Sequence, residues 1–187
     1  MKTRRSRSRS RSTSKRSGKT SKCKRSRSGS KCRKAKKCSK PSDYDCPKAV
    51  FFPKIGKIKY KPKSRKALTF KCYNPEEVIL GKKMKDWLRF SVVFWHTFRG
   101  KGLDPFGGPT MVRPWDDESE TLDNAYRRAR AAFEFMSKLG VEYYAFHDRD
   151  VAPEGKDITE TNSNLDKVTD LMLDLQKKTG IKLLWAT

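Results

Sequence analysis

The sequence predicts an α/β fold built on parallel strands, and three observations carry that expectation. Residues 90–98, Phe-Ser-Val-Val-Phe-Trp-His-Thr-Phe, are almost unbroken in β-branched and aromatic side chains, the pattern of a strand buried on both faces. Two segments with apolar residues at helical spacing follow, and each leads into another short apolar run. Strand, helix, strand, helix, strand implies parallel strands joined by right-handed crossovers, as at the start of a barrel or of an open doubly wound sheet.

Before the first strand, Asn74-Pro75 followed by Glu76 and Glu77 gives a capped helix start and Gly81 a stop, so residues 49–89 read as a lead-in with short helices. The first long helix spans 122–139. Leu122, Ala125, Ala129, Ala132, Phe133, Met136 and Leu139 recur on one face, Thr121 can cap its start, and Gly140 its end. Val141 to Phe146 returns to strand character and runs into His147-Asp-Arg-Asp150. Leu165, Val168, Leu171, Met172 and Leu175 form the second helical stripe, closed by Lys177, Lys178 and Gly180, and residues 181–187 are a third strand.

The formal net charge of +24 over 187 residues is carried mostly by one end. Residues 1–48 hold 20 basic side chains against Asp43 and Asp45, a balance of +18, while every Trp and Phe lies beyond them. Arginine alternates with serine from Arg5 to Ser12, and nothing in this tail offsets the entropy of ordering it, so disorder is expected. Such a tail can attract nucleic acid without sequence preference or act as a nuclear import signal, and an extension with no role fits its composition equally. It lacks the apolar face of a transit peptide and the apolar core of a secretory signal. Cys23, Cys32, Cys38 and Cys46 are separated by eight, five and seven residues, which is not zinc-site spacing, and Cys72 reads as a small packed hydrophobe.

The remaining residues, 49–187, can bury one core but are fewer than the ~250 that a complete (β/α) barrel needs. No apolar run approaches the ~20 residues of a membrane-spanning helix, so no membrane partner is expected. No Gly-x-Gly-x-x-Gly separates a strand from a helix, which counts against a dinucleotide site. Chemistry in either architecture collects at the carboxyl ends of the strands, here Trp95 to Phe98, His147 to Asp150 and Trp185 to Thr187. The connection 99–120 is long, and its Phe106 and Trp115 argue that it is ordered.

Both histidines of the chain, His96 and His147, fall at these ends. Asp150, three residues after His147, can fix the imidazole tautomer for proton transfer near neutral pH, or the two simply form a strand-end ion pair, or His147 is a satisfied core histidine. His96, flanked by aromatic residues, reads as a packed histidine. The aromatic stripe around it is either core or the wall of a pocket.

The stretches Trp95-His-Thr-Phe-Arg-Gly-Lys-Gly-Leu-Asp-Pro-Phe-Gly107, Arg113-Pro-Trp-Asp116, Phe146-His-Asp-Arg-Asp-Val-Ala-Pro-Glu-Gly155, Glu160-Thr-Asn-x-Asn-Leu-Asp166 and Lys182-Leu-Leu-Trp-x-Thr187 resemble xylose isomerase. The similarity begins near Phe51 and runs to the last residue. It implies the N-terminal portion of a (β/α)8 TIM barrel and a metal-dependent aldose-ketose isomerase that converts D-xylose to D-xylulose and often accepts D-glucose. The histidine matching His147, oriented by the aspartate matching Asp150, assists ring opening in that family. Trp95 matches an indole wall beside the sugar, Phe106 matches a side chain that reaches a neighbouring subunit's site and so implies a homo-oligomer, and Thr187 matches a threonine near the sugar. Two Mg²⁺ ions polarise the substrate oxygens, but their ligands lie on later strands, so no residue here is assigned to metal. Cys72 stands where an aromatic residue is usual and Lys61 where an acid is common.

The resemblance therefore implies a cytoplasmic isomerase in pentose metabolism, present as a fragment that by itself is expected to be inactive and poorly folded. Two other readings remain: a nuclear, non-catalytic protein whose tail binds nucleic acid, and a regulatory subunit that co-assembles with a full-length isomerase through the Phe106 loop.

Overall fold

The structure, a computed structural model, describes residues 49–103 and 105–187. The tail of residues 1–48, with its expected disorder and its four cysteines, lies outside the described residues.

Three parallel strands form the central sheet in the order β3-β4-β5, where β3 is Ser91–Val93, β4 is Tyr143–Phe146 and β5 is Lys182–Ala186. The register runs Ser91 to Tyr143 to Lys182. Leu183 faces Tyr144 and Trp185 faces Ala145, so Leu184 is the extra residue of a bulge in β5. The connections are the long helices α2 (Leu122–Leu139) and α4 (Ile158–Thr179), which gives the strand-helix alternation of the first units of a (β/α) barrel.

The helix ends follow the expected chemistry. Thr121 accepts the Asn124 N–H at 3.3 Å and Asp157 accepts the Glu160 N–H at 2.8 Å, each satisfying an orphan donor of the first turn. Gly140 and Gly180 close the two helices in the left-handed conformation. Ala125, Ala129 and Ala132 let α2 approach closely, and Phe133 and Met136 pack with Phe94, Phe98, Tyr144 and Met172 in one fully enclosed cluster. Each large side chain buried there is worth ~1.5–3 kcal/mol in apolar transfer.

Four expectations are corrected. The apolar run 90–98 is not one strand: β3 ends at Val93, and Trp95–Arg99 form a π-helical turn. Coiling brings the Phe94 and Phe98 rings to 5.3 Å, both fully buried, which an extended chain would hold much further apart. The same turn leaves His96 exposed and not packed.

Residues 74–81 form no helix. Val78–Ile79 (β1) pairs antiparallel with Lys82–Lys83 (β2) across Leu80 and Gly81, at φ 50° and 76°. Positive φ at both central positions is the geometry of a tight hairpin turn, and Gly81 supplies one of them without strain. The only helical turn described between residues 49 and 89 is α1, Met84–Trp87.

Cys72 is exposed rather than packed. The ring contacts nearby are made by its neighbour Tyr73, which stands edge-on to both Phe70 and Phe90.

Candidate functional site

The site is built at the carboxyl end of β4, where Phe146 gives way to a single helical turn, α3 (Asp148–Val151). His147 is extended and occupies the N-cap of that turn, which places its ring at the sheet edge with the side chain about half exposed. Asp150, in the same turn, is nearly fully buried. Its Oδ2 accepts the His147 backbone N–H at 2.9 Å and lies 2.8 Å from His147 Nδ1. A carboxylate oxygen only accepts, so this contact puts the hydrogen on Nδ1 and leaves Nε2 outside it.

Trp185, near the end of β5, stands edge-on to the imidazole with ring centroids 5.6 Å apart. Thr187 joins the same corner through its backbone: its N–H donates to Phe146 O at 3.2 Å and its carbonyl accepts the Asp148 N–H at 2.8 Å. The carboxyl ends of β4 and β5 thus converge on one small constellation of His147, Asp150, Trp185 and Thr187.

Behind the constellation lies a buried polar group supplied by α2. Arg128 is 4% exposed, donates from Nη1 to the Asp150 carbonyl at 3.1 Å and sits 3.5 Å from Asp116 through Nη2. Burial pushes the Arg128 guanidinium below its ordinary value, and the Asp116 charge opposes that shift. Burial alone raises the Asp116 carboxyl. The Asn124 amide at 2.7 Å, the Glu118 N–H at 2.9 Å and the Arg128 charge outweigh it and hold Asp116 below the usual carboxylate range.

The other two expected site residues lie beyond the carboxyl end of β3. Trp95 is 47% exposed on the π-helical turn and lines a cavity of about 620 Å³ together with His96, Arg99, Met111, Asp116 and Arg128. Phe106 is 98% exposed, whereas Trp115, in the same long connection, packs near Phe98 and Phe52. The connection is therefore anchored through Trp115.

Sequence reasoning gave no role to Trp185 or Arg128. Arg128 carried a readable signal, since it interrupts the apolar face of α2 between Ala125 and Ala132. Trp185 carried less, because adjacency between neighbouring parallel strands is fixed only by register.

Among the described residues no three His, Cys, Asp or Glu side chains converge to hold a metal ion. The described residues thus offer no donor set for a pair of divalent cations. Among the same residues no helix is long and apolar enough to cross a membrane.

The chain is similar to curated xylose isomerases. It is 58% identical to that of Hordeum vulgare over 152 residues, which is 81% of this chain and 32% of the barley protein. The Arabidopsis thaliana protein is 55% identical over 152 residues, 81% of this chain and 31% of that one. The Rhodopirellula baltica protein is 58% identical over 137 residues, 73% of this chain and 31% of its own length. No protein-family model matches. The chain spans about a third of the length of the curated relatives it matches.

Proposed function

We propose that this chain carries the first three barrel strands of a xylose isomerase with the two long helices that join them, and that His147 and Asp150 open the sugar ring ahead of aldose-ketose isomerisation. One observation carries the reading: in a chain so similar to those enzymes, a buried carboxylate takes both the backbone N–H and Nδ1 of a half-exposed histidine at a strand's carboxyl end.

The chemistry follows from the tautomer. Opening a cyclic aldose removes the proton of the anomeric hydroxyl and delivers one to the ring oxygen. With Nδ1–H held by Asp150, Nε2 can accept the first proton and return it, a positioned acid-base role worth ~10²–10⁴ in rate. Asp150 orients the ring and stabilises the imidazolium while it carries the proton. Trp185 beside the ring, and Trp95 as an apolar wall, favour the less polar face of a sugar, with Thr187 at the rim.

D-xylose is the proposed substrate, with D-glucose as a second. The two Mg²⁺ ions belong to the reading through the family alone, because the described residues hold no donor set for them. The strongly exposed Phe106 supports a homo-oligomer in which it reaches a neighbouring site, and the cytoplasm is the proposed location. Nucleic-acid binding by residues 1–48 with a nuclear location, and co-assembly with a full-length isomerase through Phe106, are the competing readings.

A chimera tests the proposal: residues 49–187 joined to the remainder of the barley enzyme, assayed with Mg²⁺ for conversion of D-xylose to D-xylulose. Activity that falls ~10²-fold or more in His147→Asn supports it. An active chimera indifferent to that substitution removes His147 from the chemistry, and an inactive, correctly folded chimera removes the function.

A further inference from the structure

Basic charge does not stop at the tail. Residues 49–75 contain eight basic side chains and no acid, whereas residues 76–187 carry 17 basic against 19 acidic groups. The eight are Lys54, Lys57, Lys59, Lys61, Lys63, Arg65, Lys66 and Lys71, and every one is exposed. Among the described residues none of them pairs with a carboxylate, although lysines and arginines elsewhere in the fold commonly do. Lys57 lays its stem beside the carbonyl end of α2, its ε-carbon lying 3.8 Å from where a Cβ on Gly140 would stand. Among the described residues the other seven have no partner of opposite charge.

The segment is a strap held at both ends. At one end the Phe51 and Phe52 N–H groups donate to the Glu134 carboxylate at 2.7 and 3.2 Å, and the Ile58 N–H donates to Lys138 O at 2.7 Å. At the other, Phe70 and Tyr73 stack edge to face, and Tyr73 meets Phe90 in the same way. Between them Tyr60 bridges Phe70, through Lys61 N–H to Phe70 O at 2.8 Å and Phe70 N–H to Lys59 O at 3.1 Å. The cations are thus presented on ordered backbone, which lowers the entropy lost when a partner fixes them.

We infer that the strap Lys54–Lys71 binds single-stranded RNA, its exposed cations meeting phosphates and the Tyr60 ring stacking on a base. Unpaired like charges held together repel one another, and a polyanion relieves that repulsion while releasing its own counterions. Tyr60, 36% exposed among Lys59, Lys61 and Lys63, adds the aromatic platform that single-strand binders combine with cations. A lipid surface fits less well, because Leu68 is the one large aliphatic side chain exposed on the strap. The surface is distinct from the His147 corner and does not depend on the isomerase reading.

The test uses the full chain and a short oligouridylate, with affinity measured across a salt series. For Lys59→Ala/Lys61→Ala/Lys63→Ala the slope of log affinity against log salt should flatten by about 2, as three lost single-strand phosphate contacts require. Tyr60→Ala should weaken binding about five- to a hundredfold, and photo-cross-links should map within residues 54–71. Circular dichroism checks that both variants keep their fold. Cross-links confined to residues 1–48 with an unaltered slope would overturn the proposal in favour of the tail. Absence of RNA binding, or tighter binding to phosphatidylserine vesicles than to RNA, overturns it as well.

Discussion

Arg128, on the buried face of α2, donates from Nη1 to the carbonyl oxygen of Asp150 at 3.1 Å, joining the helix before β4 to the turn after it. The guanidinium thus holds the backbone of the residue that orients His147, while Asp116 lies beside it as the counter-charge.

Replacing Arg128 by Met removes the bond to Asp150 O and leaves Asp116 without its cation. Because Arg128 is 4% exposed, water replaces little of what is lost, and Arg128→Met should lower the unfolding free energy by ~2 kcal/mol. Urea denaturation of the full chain measures the loss. A midpoint equal to that of the unmodified chain would show that the pair contributes nothing net.

Asp116 gives the fold an acid sensitivity whose sign is fixed by its environment. Its carboxyl is held below its ordinary value in the folded chain, so its stabilising contribution is complete above the usual carboxylate range and is lost as pH falls through and below it. Asp116→Asn should therefore flatten the decline of the thermal midpoint on acidification, with its largest relative benefit at the acid end. Parallel pH profiles for the two proteins would refute the assignment.

The His147 ring should be found in one tautomer when neutral. Nitrogen chemical shifts of the labelled chain should show hydrogen on Nδ1, as the 2.8 Å approach of Asp150 requires. In Asp150→Ala that preference should relax toward a mixture. A ring protonated on Nε2 in the unmodified chain would sink both the geometry and the acid-base role built on it.

Among the described residues one side of β5 has no strand partner. Leu183, Leu184 and Trp185 are 40%, 55% and 43% exposed on this strand, which among the described residues pairs with β4 alone. Purified at increasing concentration, the chain should self-associate, and Leu184→Lys, placed at the bulge, should shift sedimentation equilibrium toward the monomer without altering the circular dichroism. Association unchanged by that substitution would place the contact elsewhere.

Sequence alone determined the elements whose signals are local. Thr121 and Gly140 bracket α2, Gly180 ends α4, and short apolar runs after each helix give β4 and β5, because capping groups and apolar periodicity act within a few residues. The His147-Asp150 pair was visible for the same reason, lying three residues apart on one turn. Tertiary structure decided the rest. Only packing turns Trp95–Arg99 into a helical turn, since the gain lies in joining Phe94 to Phe98 inside a core that the local pattern does not describe. Only strand register sets Trp185 against His147, and only the approach of α2 brings Arg128 beneath Asp150, 22 residues away. Contacts between distant residues depend on the whole arrangement of elements, and no short stretch of sequence encodes that arrangement.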